Sequence, residues 1–471
     1  MMQRERFASR LGFVLVAAGC AIGLGNIWRF PWKAGEYGGG LFVLFYLICL
    51  VILGLPVMTA ELSVGRGSQR SVARSFQILE PHGTKWHNFS YFAMAGNYLL
   101  MMFYTSISGW MLFYLFKMIK GEFQGLDPDE VVGVFISMIT NPGACVGWMI
   151  AICIIGFTVC AIGLQNGVER ITKIMMSCLF IVMLILIVRA VTLPGAAEGL
   201  KFYLVPSLEP IKQHGIFTII YAAMGQGFFS LSLGMGSMAI FGSYIGREKS
   251  LMGESRSIII LDTVAALGAG LIIFPACYAF NVEPDQGVGL IFMTLPNVFN
   301  NMPGGYVFGI GFFLFMVFAA ISTVVAVFEN IVAFALDLTE WSRKKASIIN
   351  AVAIVILALP CALGFNIWES FFAPALAWLG EGAAVIDLED FLISQNILPI
   401  GGAIYVLFCS VKKGWGFEKF MEEANAGEGM KVPRSLKWYL TYLLPAIIAI
   451  IFILGYINKF LPGVLMSEVP M

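Results

Sequence analysis

The sequence predicts an all-α integral membrane protein of about 11 transmembrane helices, and three observations carry that prediction. Only 12% of the residues are charged and 59% are hydrophobic, where a soluble domain carries about 25% charged residues. Eleven stretches each approach the roughly 20 apolar residues that a bilayer-spanning helix needs. The basic residues between those stretches fall on alternate connections, the pattern left by cytoplasmic loops.

The stretches lie near 11–34, 41–64, 88–119, 146–164, 171–192, 216–243, 255–280, 304–337, 346–365, 390–411 and 436–459. If the N-terminus is cytoplasmic, most of the 29 Lys and Arg lie inside: Arg4, Arg6 and Arg10; Arg66, Arg70, Arg74 and Lys85; Arg170 and Lys173; Arg247, Lys249 and Arg256; Arg343, Lys344 and Lys345; then Lys412, Lys413, Lys419, Lys431, Arg434 and Lys437. The outer 121–145 loop carries Asp127, Asp129 and Glu130 without a base, and the 281–303 loop carries Glu283 and Asp285 without one. A missed helix would invert every later loop, so the charge pattern checks the count. An odd count puts the C-terminus outside. The first stretch contains Asn26, Arg29 and Lys33, which a signal peptide's apolar region would exclude, so it reads as the first span.

Composition narrows the function classes. The formal net charge is zero, so charge gives no pointer to nucleic acid. The 9 cysteines show no paired spacing and mostly sit in apolar runs, as small buried hydrophobes do. His82, His87 and His214 form no cluster. Hydrolase triads, His-Glu zinc motifs and phosphate loops are absent from the sequence, which argues against an enzyme.

Two spans are interrupted by glycine. The first reads Gly19-Cys-Ala-Ile-Gly-Leu-Gly-Asn26, and the sixth reads Gly225-Gln-Gly-Phe-Phe-Ser-Leu-Ser-Leu-Gly-Met-Gly236. Each glycine costs about 1 kcal/mol against alanine inside a helix. The bland explanation is close helix packing. The clustering beside Asn26, Gln226, Ser230 and Ser232 favours unwinding, which a bilayer tolerates only where the backbone is buried or lines a cavity. The interruptions open two five-helix sets, an arrangement that points to a transporter site between inverted repeats. A half-helix beginning mid-membrane offers N–H groups to a carboxylate, and one ending there offers carbonyls to Na⁺ or an ammonium group. One broken helix therefore suits a zwitterion. Asp262, within the seventh span, calls for a cation, with Asn26 placed to share it. Glu61 and Glu329 also lie within spans, and Glu61 reads as an acceptor for frayed backbone. Ser322 and Thr323 taken alone read as helix back-bonding.

These residues carry a specific resemblance. Arg10-Leu-Gly12, Gly23-Leu-Gly-Asn-Ile-Trp-Arg-Phe-Pro31, Gly38-Gly-Gly40 and the 225–236 run through Ser-Tyr244 resemble the neurotransmitter:sodium symporter family, over nearly the whole chain. The resemblance implies the leucine-transporter type of 5+5 inverted repeat with broken helices 1 and 6. It is then a single transporter domain over 1–471, with repeats at about 11–192 and 216–411 and an extra helix at 436–459. It implies Na⁺-coupled import of an amino acid by alternating access, with two Na⁺ ions, no organic cofactor and the lipid bilayer as surroundings. One ion would be held by Ala21, Asn26, Ser230, Asp262 and the substrate carboxylate. The other would be held by Gly19, Ile22, Ala319, Ser322 and Thr323. The amino acid would meet Leu24, Gly25 and Tyr104 with its carboxylate, and Ala21, Phe229, Ser230 and Ser232 with its ammonium group. Leu100, Phe229, Ser232, Met235, Thr323 and Val327 would line its side-chain pocket. Arg29 and Asp390, capped by Phe229, resemble an outer gate; Arg4, Tyr244 and Asp337 resemble an inner one.

Two departures refine the expectation. Asp262 stands where many members have Asn, and Ala266 stands where chloride-dependent members have Ser. A fixed carboxylate would supply the charge that chloride supplies elsewhere, so transport is expected to be chloride-independent, with H⁺ antiport on Asp262. Met235 between Gly234 and Gly236 replaces a Phe and predicts an adaptable pocket for large apolar or aromatic L-amino acids. Eleven spans and short loops resemble bacterial members, in the inner cell membrane. A sensor or channel-like protein of the same fold is the alternative.

Overall fold

The computed structural model describes residues 5–282, 289–380 and 382–461. Among these the regular structure is helical, apart from an isolated bridge between Lys249 and Glu428. The first span is a bent pair, α1a (Arg10–Ala21) and α1b (Gly25–Glu36), with 53° between the halves. Unbroken spans follow as α2 (Gly40–Ser68), α3 (Trp86–Ile119), α4 (Pro142–Ile162) and α5 (Leu164–Val191). The sixth is split into α6a (Ile216–Ser230) and α6b (Ser237–Gly242). The remainder are α7 (Leu251–Ala279), α8 (Gly305–Leu338), α9 (Arg343–Leu363), α10 (Val385–Ser410) and α11 (Leu436–Ile457). Among the described residues, 9 helices are thus long and apolar enough to span on their own, 10 with the bent pair. The 216–243 stretch reaches eleven only by adding its two pieces.

Caps move several ends. Asn141 accepts the Ala144 N–H at 3.0 Å and starts α4 at Pro142 rather than near 146. Asp387 accepts the Ala384 N–H at 2.8 Å and adds a polar first turn to α10, ahead of the apolar run that begins near 390. Hydropathy passes over such turns because their stability comes from a side-chain acceptor.

The centre of the molecule is set by α8, which packs on α1a, α3, α4 and α5, while α2 packs on α6b and α7. Both broken helices are therefore enclosed by unbroken ones. In α1 the helix stops at Ile22, whose ψ of 91° is extended. In α6 the chain turns through positive φ at Ser232 (51°), Gly234 (91°) and Gly236 (83°), a region where glycine has no steric penalty and other residues do.

Glu61 of α2 repairs the second break. It accepts the Gly234 N–H at 2.7 Å and the Met238 N–H at 2.9 Å, the frayed-backbone role expected of it. Asn97 of α3 donates to the Met235 carbonyl at 2.9 Å and accepts from Asn330 of α8 at 2.9 Å, so the break is fastened from two sides. A buried N–H that loses its acceptor costs about 1–3 kcal/mol. Glu61→Ala strands two, and is expected to lower the melting temperature in detergent well beyond Glu61→Gln, which keeps one acceptor oxygen. Equal melting of the two variants would mean that the carboxyl oxygens do not carry this stretch.

Candidate functional site

The two breaks face each other across the middle of the bundle. Ser232, in the second, lies 3.1 Å from the Cys20 carbonyl in the first. Between them lies a cavity of about 10 Å³ lined by Cys20, Ala21, Gly23, Gly25, Leu100, Tyr104, Phe229, Ser232, Met235, Thr323 and Leu398, room for about one water molecule. Of the residues expected around a substrate, Ala21, Gly25, Leu100, Tyr104, Phe229, Ser232, Met235 and Thr323 line it. Leu24 sits just behind, its N–H donating to the Tyr104 hydroxyl at 2.9 Å. Ser230 faces Asp262, and Val327 is buried one helical turn from Thr323, outside the lining. Cys20, Gly23 and Leu398 complete the lining and were not among the expected contacts: Gly23 was read only as part of the interruption, Cys20 and Leu398 carry no polar side chain or motif of their own, and the fold brings them here.

On one side of the cavity, Asn26 donates its amide to the Asp262 carboxylate at 2.8 Å and to the Asp262 carbonyl at 3.0 Å. Tyr46 of α2 donates to the other carboxylate oxygen at 3.1 Å, and the Ser230 hydroxyl lies 3.4 Å from it. Asn26 and Asp262 are fully buried, and Asn26 Oδ1 has no hydrogen-bond partner. A carboxylate beside an unsatisfied amide oxygen in a dry interior matches the donor set of a small hard cation. Tyr46 was invisible to the sequence reading, because it lies in an ordinary apolar run.

On the other side, the Thr323 hydroxyl lies 3.0 Å from the Gly19 carbonyl, 3.3 Å from that of Cys20 and 3.4 Å from that of Ile22. Ser322 Oγ lies 2.9 Å from the Ala319 carbonyl and 3.5 Å from that of Ile22. A hydroxyl has one proton to give, so it satisfies one of these oxygens and leaves the others crowded together. The five residues expected at this position, Gly19, Ile22, Ala319, Ser322 and Thr323, converge. The array is all oxygen, again suited to Na⁺.

Both ends are closed. At one end, Arg29 reaches Asp390 at 3.4 Å and Gln226 at 3.3 Å, with its guanidinium 4.7 Å from the centre of the Phe229 ring. Gln226 in turn donates to the Gly25 carbonyl at 2.7 Å, so this closure is tied to the break itself. Towards the other face, the Tyr244 hydroxyl donates to Glu329 at 2.7 Å, and Arg343 grips the same carboxylate at 2.7 and 3.1 Å. Asp337 accepts the N–H and hydroxyl of Ser71 at 2.7 and 2.6 Å. Tyr244 and Asp337 are thus anchored by different neighbours, and Arg4 lies outside the described residues. The chain just after it is clasped: Phe7 packs on Phe13, Phe241 and Tyr244, Glu169 accepts Ala8 N–H at 2.7 Å, and Arg10 pairs with Glu254 at 2.7 Å. Glu329, Glu169 and Glu254 were missed as closing residues because each is an isolated acid in sequence.

The family model described as "Sodium:neurotransmitter symporter family" matches residues 4–125 and 129–465. The chain belongs to that family. A sodium-dependent transporter of Bacillus subtilis is 33% identical over 95% of this chain and 97% of its own. One of Haemophilus influenzae is 31% identical over 96% and 98%. The sodium- and chloride-dependent GABA transporter 2 of Bos taurus is 25% identical over 97% and 81%. The crystal structure of MhsT in complex with L-phenylalanine is 37% identical and matches with a TM-score of 0.85, covering 96% of this chain and 100% of that one. The protein is a multi-pass, sodium-dependent symporter rather than an enzyme.

A Cβ at Gly23 would stand 2.2 Å from the Tyr104 hydroxyl and 2.4 Å from Thr323 Oγ1, so both must give way to a larger residue. Overpacking of this kind costs about 1–3 kcal/mol. Gly23→Ala is expected to shrink the rise in melting temperature that NaCl gives over an equal concentration of KCl. A variant stabilised by sodium as strongly as the parent would show that Thr323 is not part of the ion's surroundings.

Proposed function

We propose that this symporter imports a hydrophobic or aromatic L-amino acid together with two Na⁺ ions by alternating access, without chloride and with H⁺ carried outward on Asp262. The observation that carries this reading is the polarity of the first break. The helical half before the break presents the carbonyls of Gly19, Cys20 and Ile22 around the Thr323 hydroxyl, and the half after it presents the Leu24 N–H to the Tyr104 hydroxyl. A zwitterion is the solute whose two ends suit both halves.

One ion belongs at Asn26, Asp262, Ser230 and the Ala21 carbonyl, where the substrate carboxylate completes its shell. The second belongs at Gly19, Ile22, Ala319, Ser322 and Thr323, where it bridges α1 and α8. Sharing the first ion with the substrate couples their binding reciprocally. The substrate carboxylate goes to Leu24, Gly25 and Tyr104, and its ammonium group to Ala21, Phe229, Ser230 and Ser232. Leu100, Met235, Thr323 and Val327 take its side chain. Met235 lies between Gly234 and Gly236, both at positive φ, so the floor of the pocket can unwind to different extents. The L-phenylalanine bound by MhsT supports an aromatic substrate.

Closure of Arg29 on Asp390 shuts the outside. Release of the second ion inward frees α1 from α8, and the N-terminal segment around Arg4 then leaves Tyr244 and Asp337. In the proposed topology the N-terminus is cytoplasmic, the C-terminus external and the inner cell membrane the site of action. The repeats run from about 11 to 192 and from 216 to 411, with α11 outside them. Asp262 already holds the Asn26, Tyr46 and Ser230 donors that would otherwise face a bound anion, which supports chloride independence.

Purified protein is expected to bind radiolabelled leucine, tryptophan or tyrosine in NaCl and to lose that binding in KCl; equal signals would sink the sodium sites. Uptake into vesicles is expected to survive replacement of chloride by gluconate. A collapse of uptake there would remove the role given to Asp262 while leaving the amino-acid assignment standing.

A further inference from the structure

A groove on the surface lies apart from the central site. It runs between the start of α3 and the final turns of α10, has a volume of about 430 Å³, and is lined by Lys85, Trp86, Asn88, Phe89, Phe92, Ile400 and Ile404. Its walls are held in place from both helices. Trp86 donates its indole N–H to the Lys413 carbonyl at 2.8 Å and packs on Phe408 with ring centres 5.5 Å apart. Below the aromatic rim the groove is apolar and open to the surroundings: Phe92 and Ile400 are exposed, as is Tyr91 beside them.

Lys85 lines the groove, Lys413 is joined to it through the carbonyl that accepts from Trp86, and Lys412 precedes Lys413 in the chain. Lys85, Lys412 and Lys413 are all exposed, and among the described residues none of them has an ion-pair partner. The acids nearest to these lysines in sequence are already engaged, Glu80 with His87 at 2.5 Å and Glu418 with Lys437 at 3.4 Å. From Lys85, just before α3, to Phe92 the groove follows the start of that helix for about 10 Å at 1.5 Å per residue. That length takes roughly the first eight carbons of an acyl chain.

We propose that this groove is a binding site for an anionic glycerophospholipid, with the phosphate at Lys85, Lys412 and Lys413 and one acyl chain against Phe89, Phe92, Ile400 and Ile404. A free phosphate would use the lysines alone and leave the apolar wall bare; a neutral lipid would use the wall and ignore the lysines. Basic pockets between spanning helices recognise anionic headgroups in this way, and each Lys near the membrane surface contributes about 1 kcal/mol, a roughly fivefold preference per residue. The inference needs only that the chain spans a bilayer and is independent of the solute carried.

The test is native mass spectrometry of the full-length protein in detergent, titrated with phosphatidylglycerol or phosphatidylcholine of the same acyl chains. The wild type is expected to retain one phosphatidylglycerol at least fivefold more strongly than phosphatidylcholine. The triple variant Lys85→Gln, Lys412→Gln and Lys413→Gln should hold the two lipids equally, while Ile404→Trp, which fills the groove, should weaken both. A control triple, Lys344→Gln, Lys345→Gln and Lys419→Gln, removes the same charge elsewhere and should keep the preference. The proposal fails if wild type holds both lipids equally, if the two triple variants behave alike, if Ile404→Trp has no effect, or if millimolar inorganic phosphate displaces the lipid.

Discussion

Every backbone N–H and C=O inside a bilayer must find a partner within the protein, because hydrocarbon offers none. The structure depends on how that constraint is met at two places where helices stop halfway across. Among the described residues, nine spans meet it by being unbroken. The first and sixth meet it by lending their orphaned groups to side chains from neighbouring helices: Glu61 from α2, Asn97 and Tyr104 from α3, Ser322 and Thr323 from α8. The unbroken helices are therefore more than a scaffold around the breaks. They hold the donors and acceptors that let the breaks exist.

The same arrangement sorts charge without using many charged residues. Carbonyl oxygens and hydroxyls of α1 and α8 crowd on one side of the cavity, and the buried carboxylate of Asp262 with the Asn26 amide oxygen stands on the other. Oxygen arrays of this type attract a small hard cation at close range and have little to offer an anion. The proposed ion sites would give the family's sodium dependence a structural counterpart in the placement of a few oxygens.

Much of this was legible in the sequence, for identifiable reasons. Spans announce themselves by length and apolarity, and their direction by Arg and Lys. The breaks announce themselves by glycine clusters that no continuous helix would favour. Glu61 was readable as a backbone acceptor because an acid within a span has few other uses. What stayed hidden depends on helices far apart in sequence. Tyr46, Cys20 and Leu398 sit in ordinary apolar runs and gain significance only when α2, α1 and α10 meet. Glu169, Glu254 and Glu329 carry no local motif; their partners Ala8, Arg10 and Arg343 become neighbours only after folding. Capped ends such as Asn141 and Asp387 were misplaced by several residues because hydropathy is blind to a turn held by one side-chain oxygen.

The grip of α2 on the second break has a mechanical consequence. Besides Glu61, α2 contributes Arg66, which donates to the carbonyls of Gly246 at 3.2 Å and Lys249 at 2.8 Å, just beyond α6b. Two fasteners roughly one and a half turns apart fix an orientation as well as a position, as two rivets do where one would leave a pivot. To rotate α6b alone would strip buried donors and acceptors at both points; to rotate it with α2 strips neither. The stretch is therefore built as one stiff lever made of two helices, and the bending is left to the few residues around Ser232 to Gly236, where the backbone is already out of helical register.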